Sequence, residues 1–176
     1  MKILGNKNKF AIKIDERSLA SDLCGVNIYI NTRNICCDDN QAYLPTFICS
    51  MENEMTVLKN IQDKAEFRKY FEGKTIEQSH AFISSTRDPA SPDFDCENDE
   101  LYVTYRVLNW SETTDNVTCF IVPSDNKYYL TYEFWREAHE VKSEIGLINH
   151  VQIDIAEMIV VIQHARDQIK TIFKKR

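Results

Sequence analysis

The residues of this 176-residue chain best suited to chemistry lie in "YYLTYEFWREAHE", Tyr128 to Glu140, where five aromatic rings stand beside Glu133, Glu137 and a His139-Glu140 pair. His-Glu is the first half of H-E-x-x-H, which sets two imidazoles on one helical face to hold zinc, with the glutamate as base. Here Ser143 occupies the position of the second histidine, so the motif fails. Glu133 and Glu137 suggest an acid/base pair, but on an extended strand they lie about 13 Å apart, too far even for an inverting glycosidase. A small hydrolase built on Glu133, Glu137 and His139 is therefore an alternative that needs a deep pocket converging on all three.

Other catalytic signatures are missing from the sequence. His80, His150 and His164 are widely separated, and His164 falls beside the apolar stripe of a helix, where a boundary histidine is expected. No G-x-S-x-G elbow is present, and Gly5, Gly25, Gly73 and Gly146 are too dispersed for a phosphate loop. The six cysteines (Cys24, Cys36, Cys37, Cys49, Cys96 and Cys119) form no C-x-x-C, and in a chain without an export signal they read as reduced structural thiols. The expectation is no enzyme, no cofactor and no metal.

Read as a strand, Tyr128 to Glu137 has two faces. Tyr128, Leu130, Tyr132 and Phe134 turn inward, while Tyr129, Thr131, Glu133, Trp135 and Glu137 turn outward, onto water or a partner. Tyr and Trp give large contact area at low entropic cost, and carboxylates around them attract a basic protein. A second acidic feature is "TRDPASPDFDCENDE", Thr86 to Glu100, with two prolines, six acids and one arginine. It reads as an exposed loop carrying Asp93, Asp95, Glu97, Asp99 and Glu100. The net charge of −6 includes the basic end Lys174, Lys175 and Arg176, so the body is more acidic still. Such a body repels nucleic-acid phosphates and draws in a basic protein. No apolar run is long enough to enter a membrane, and a cytoplasmic protein is the default.

The elements that must position these residues are read from periodicity. Lys9 to Asp15 and Gly25 to Ile30 read as strands, and Leu44 to Ile61 as a helix with Pro45 in its first turn. Asp63 with Glu66 resembles a capping box for a short helix ending at Gly73. "AFISS", "LYVTYRVLNW", "VTCFIVP" and "KYYLTYEFW" read as strands of a meander, the last two joined by a turn at Ser124 to Lys127. "HVQID" is a further strand, and Asp154 caps a long C-terminal helix with one continuous apolar stripe. The whole, residues 1–176, reads as one α+β domain: an antiparallel sheet of about five to six strands with helices on one face.

The words "GNKNKFAIKID", "GVNIYINTRNICC", "YLPTFICSMENE", "YYLTYEFWRE" and "VQIDIAEMIVVIQHA", in that order, resemble the immunity proteins of bacterial contact-dependent growth inhibition and related polymorphic toxin systems. The acidic loop departs from that pattern. The resemblance implies a small, cytosolic, non-enzymatic and acidic protein that binds a cognate toxin C-terminal domain, commonly a basic nuclease, and blocks substrate entry. A non-enzymatic adaptor without a dedicated toxin is a further alternative.

Overall fold

The computed structural model describes residues 2–15, 22–61, 64–94 and 100–173. Five N-terminal strands form the first sheet: β1 (Lys2–Asn6), β2 (Phe10–Asp15), β3 (Leu23–Ile30), β4 (Arg33–Asn34) and β5 (Gln41–Tyr43). They run antiparallel in the order β1-β2-β3-β4, with β5 also pairing with β3. The β3–β4 turn places Asn31 and Thr32 at φ of 47° and 70°, the left-handed pair that a two-residue hairpin requires. Ile12, Ile14, Val26, Ile28 and Ile30 are all buried, which fixes the register of the central pair.

The helix α1 (Leu44–Ile61) lies where its periodicity put it, burying Leu44, Phe47, Met51, Met55, Leu58 and Ile61. It packs on α4 (Ile155–Phe173), whose Ile155, Met158, Ile162, Ala165 and Ile169 are also buried. Asp154 caps α4 by accepting from the amides of Ala156 (2.7 Å) and Glu157 (3.2 Å). Within β1, opposite Ala11 of β2, Gly5 has φ of +91°, and a Cβ there would meet the Phe10 carbonyl at 2.5 Å and a Val161 methyl of α4 at 2.9 Å. Glycine is what lets β1 and α4 approach so closely.

The second sheet, β6-β7-β8-β9, consists of Arg106–Val107, Val117–Ser124, Lys127–Phe134 and Asn149–Ile153. The β7–β8 hairpin has the expected turn, with Asp125 and Asn126 at φ of 47° and 59°. The strands are thus divided between two sheets, and two of the segments read as strands are helical. "AFISS" belongs to α2 (Ile76–Ser85), and "LYVTY" to α3 (Glu100–Tyr105). For α2 the deciding signal is a capping box. The Gln78 amide donates to the Thr75 hydroxyl at 3.2 Å, and the Thr75 amide donates back to Gln78 at 2.9 Å. In α3, Leu101 and Tyr105 are buried four residues apart, so packing of one helical face overrides the β-propensity of Val103 and Thr104. Phe67, Tyr70 and Phe71 lie on a 3₁₀ helix, Ala65–Phe71, closed by Gly73 at φ +74°. Asp63, its expected cap, lies outside the described residues.

Candidate functional site

The expected outward face of β8 is covered. α2 crosses it, and the ring of His80, fully buried, places Nδ1 2.7 Å from the Thr131 hydroxyl and Nε2 3.3 Å from a Glu133 oxygen. The Thr131 hydroxyl in turn donates to the Phe120 carbonyl at 3.2 Å, and the His80 ring meets the Phe120 ring edge-on. Thr131 is therefore core, and Glu133 is a half-buried partner of His80 rather than a free surface carboxylate. Tyr129 is also half-buried and packs edge-on against His150 of β9. A lone histidine in a helix gave no sequence signal that it would bond to a strand residue 51 positions away.

β8 ends at Phe134, so Trp135 and Glu137 lie on the turn beyond it and not in strand register with Glu133. Both are exposed, Trp135 at 54%. The Trp135 amide donates to the Asn116 carbonyl at 3.2 Å, and the amide of Gly146 donates to the Phe134 carbonyl at 2.9 Å. Leu147, 55% exposed, follows Gly146 in the chain. Next to Trp135 in the chain, Arg136 pairs with Asp115, and Glu137 and Glu140 are exposed.

His139 is not the wet end of a strand. Its ring is fully buried and stacked on Phe134 at 4.0 Å between centroids and 12° between planes. Nδ1 lies 2.9 and 3.2 Å from the two oxygens of Asp38, and Nε2 lies 3.0 Å from Glu144. Arg33 of β4 donates to the same Glu144 oxygen at 2.5 Å, and the Asn116 side chain donates to Asp38 at 2.7 Å. The Glu140 amide donates to the other Asp38 oxygen at 3.2 Å. This chain, Arg33–Glu144–His139–Asp38–Asn116, ties the first sheet to the second. The Asp38 backbone is exposed, but its side chain is turned inward and only 19% exposed. Burial opposes its ionisation, yet bonds from His139, Asn116 and the Glu140 amide outweigh that and hold its carboxyl below the ordinary carboxylate range.

Beside this network is Cys37, with Sγ 3.7 Å from Asp38 Oδ1 and 3.9 Å from His139 Nδ1. Burial first, and the Asp38 charge second, push its thiol up to about 11. Cys36 is raised further by burial, to about 12, and Cys119 is likewise buried, as expected for structural thiols. Cys49 is exposed, and Cys96 lies outside the described residues.

The acidic loop separates α2 from α3, and its described part, Thr86 to Phe94, is exposed but for Thr86 and Ser91. Asp93 accepts from the Ser85 hydroxyl at 3.1 Å, while Glu100, the first residue of α3, pairs with Lys64 at 3.2 Å. Asp95, Glu97 and Asp99 lie outside the described residues. The loop acids and the Trp135 turn thus rest on different neighbours. His164, expected at a boundary, is exposed on α4.

Among the described residues, surface cavities of about 600, 360 and 210 Å³ are lined by residues other than Glu133, Glu137 and His139. Glu54 enters the second of them. It is buried, its Oε2 accepts from the Leu108 amide (3.0 Å) and the Trp110 indole (3.1 Å), and its Oε1 has no hydrogen-bond partner among the described residues. Burial pushes its carboxyl up to about 7, against the pull of those two bonds. Among the described residues no helix is long and apolar enough to cross a membrane.

Neither a protein-family model nor a curated protein sequence matches this chain. Among solved structures, the crystal structure of CdiI from Burkholderia dolosa AUO158 is similar to it. The TM-score is 0.61 and the identity 17%, over 95% of this chain and 99% of that one. A likeness of that identity is one of fold, running through both chains from end to end.

Proposed function

We propose that the chain is an immunity protein that binds and neutralises a cognate toxin C-terminal domain, with no catalytic activity of its own. The observation that carries this reading is the end-to-end similarity of fold to CdiI, an immunity protein of a contact-dependent growth inhibition system. The finer reading is that the toxin is a basic nuclease met in the cytoplasm, and that its active site or substrate surface is occluded. The negative charge of the chain supports it, since an acidic protein is drawn to a basic one over distances set by salt screening. The contact surface we favour is the Trp135 turn, where an exposed Trp is followed by the exposed acids Glu137 and Glu140, the makeup of an interface hot spot with an acidic rim. The acidic loop (Asp93, Asp95, Glu97, Asp99 and Glu100) extends that field, with Tyr129 and Glu133 at the half-covered margin.

The hydrolase alternative on Glu133, Glu137 and His139 is not favoured by the geometry. Both ring nitrogens of His139 face carboxylates, Glu133 lies 3.3 Å from the buried His80 ring, and Glu137 lies past the end of β8. The test is to co-express this chain with the variable C-terminal domain of the protein encoded immediately upstream. Co-purification and rescue of growth are expected. A chain that neither binds nor protects against that domain would remove the immunity reading, leaving the adaptor.

A further inference from the structure

We propose that Cys37, Asp38 and His139 form a binding site for a divalent transition metal, zinc by preference, with water as the fourth ligand. Their ligand atoms all lie within 4.8 Å of one another. The triangle has sides of 3.2 Å from Asp38 Oδ1 to His139 Nδ1, 3.7 Å from Oδ1 to Cys37 Sγ, and 3.9 Å from Sγ to Nδ1. Tetrahedral zinc, with bonds of ~2.0 Å to nitrogen or oxygen and ~2.3 Å to sulfur, sets the first of these at about 3.3 Å and the others at about 3.5 Å. The cluster matches one face of that tetrahedron to within a few tenths of an ångström, which rotation of the half-buried cysteine can close.

The surroundings are those of a metal's outer shell. A ligating histidine donates its second ring N–H to a carboxylate, which fixes its tautomer and orientation. Here Nε2 faces Glu144 at 3.0 Å, and Glu144 is itself held by Arg33. Nδ1 then offers its lone pair to the metal, which takes the place of a proton between the ring and Asp38. Asp38 is aimed in the same way: Asn116 holds Oδ2, leaving Oδ1 toward Cys37, with the Glu140 amide as its further contact. Thiolate, imidazole and carboxylate together suit zinc and cobalt and disfavour calcium and magnesium, which prefer oxygen alone. This inference is independent of the identity of the toxin.

The experiment uses the full chain, reduced and stripped with EDTA, and titrates it with Co²⁺. A thiolate-to-cobalt charge-transfer band saturating at one metal per chain is expected, displaced by Zn²⁺, abolished in Cys37→Ser and retained in Cys49→Ser. On the wild-type protein, peptide mapping after iodoacetamide treatment should show Zn²⁺ slowing alkylation of Cys37 at least about tenfold while Cys49 reacts as before. Absence of the thiolate band, its survival in Cys37→Ser, or unchanged alkylation of Cys37 would each overturn the site and leave only a hydrogen-bonded network.

Discussion

At the scale of single residues, the two informative groups are a buried carboxyl and a buried imidazole. Glu54 has a folded-state value of about 7 against the usual 4.5. The folded chain therefore keeps a proton that the unfolded chain releases between those values, so stability should fall as pH rises from 4.5 to 7 and level off above. The loss would be on the order of 3 kcal/mol. Glu54→Gln keeps an oxygen for the Leu108 amide and the Trp110 indole but has no charge to bury, and should flatten that segment of a melting-temperature profile. A mutant profile parallel to wild type would reject the assignment. His139→Ala leaves Asp38 and Glu144 without the group that bridges them and unstacks Phe134. It should cost on the order of 2–4 kcal/mol, read by urea denaturation in EDTA. A loss under ~1 kcal/mol would mean that the network does not bind the two sheets.

At the scale of elements, α2 is the piece that turns an outward strand face into core, and its start depends on one hydroxyl. Thr75→Ala removes the capping-box acceptor and should destabilise the chain by about 1 kcal/mol in chemical denaturation. Gly5→Ala tests the packing of β1 on α4. With φ at +91° and the Phe10 carbonyl 2.5 Å from the new Cβ, a loss of about 2 kcal/mol is expected, and a neutral result would contradict the close approach. The strand reading of "AFISS" leaves out "TIEQ" at Thr75–Gln78, whose Thr-x-x-Gln spacing is that of a capping box. For α3, burial of Leu101 and Tyr105 on one helical face decides against the strand reading.

At the scale of the whole molecule, charge and shape together would select the partner. Replacing Asp93 and Glu100 by Lys should weaken toxin binding and lower its dependence on salt, measured as the slope of affinity against ionic strength. An unchanged affinity and slope would take the loop out of recognition. Trp135→Ala should cost at least tenfold in affinity, about 1.4 kcal/mol, if the turn is the anchor. An effect on the on-rate alone would instead assign the turn to steering.

By itself the sequence determined the α+β class, α1, the β7–β8 hairpin, β9 and α4, because each is carried by a local pattern: a 3.6-residue apolar stripe, a period of two, or turn and cap residues next to it in the chain. It also determined the acidic balance and the failure of H-E-x-x-H. Tertiary structure alone decided which polar residues meet. Asp38 and His139 are 101 positions apart, Arg33 and Glu144 are 111, and His80 and Thr131 are 51. No periodicity encodes such pairs. They form because burial strips these groups of water, and each must then find its hydrogen-bonding partner in another element.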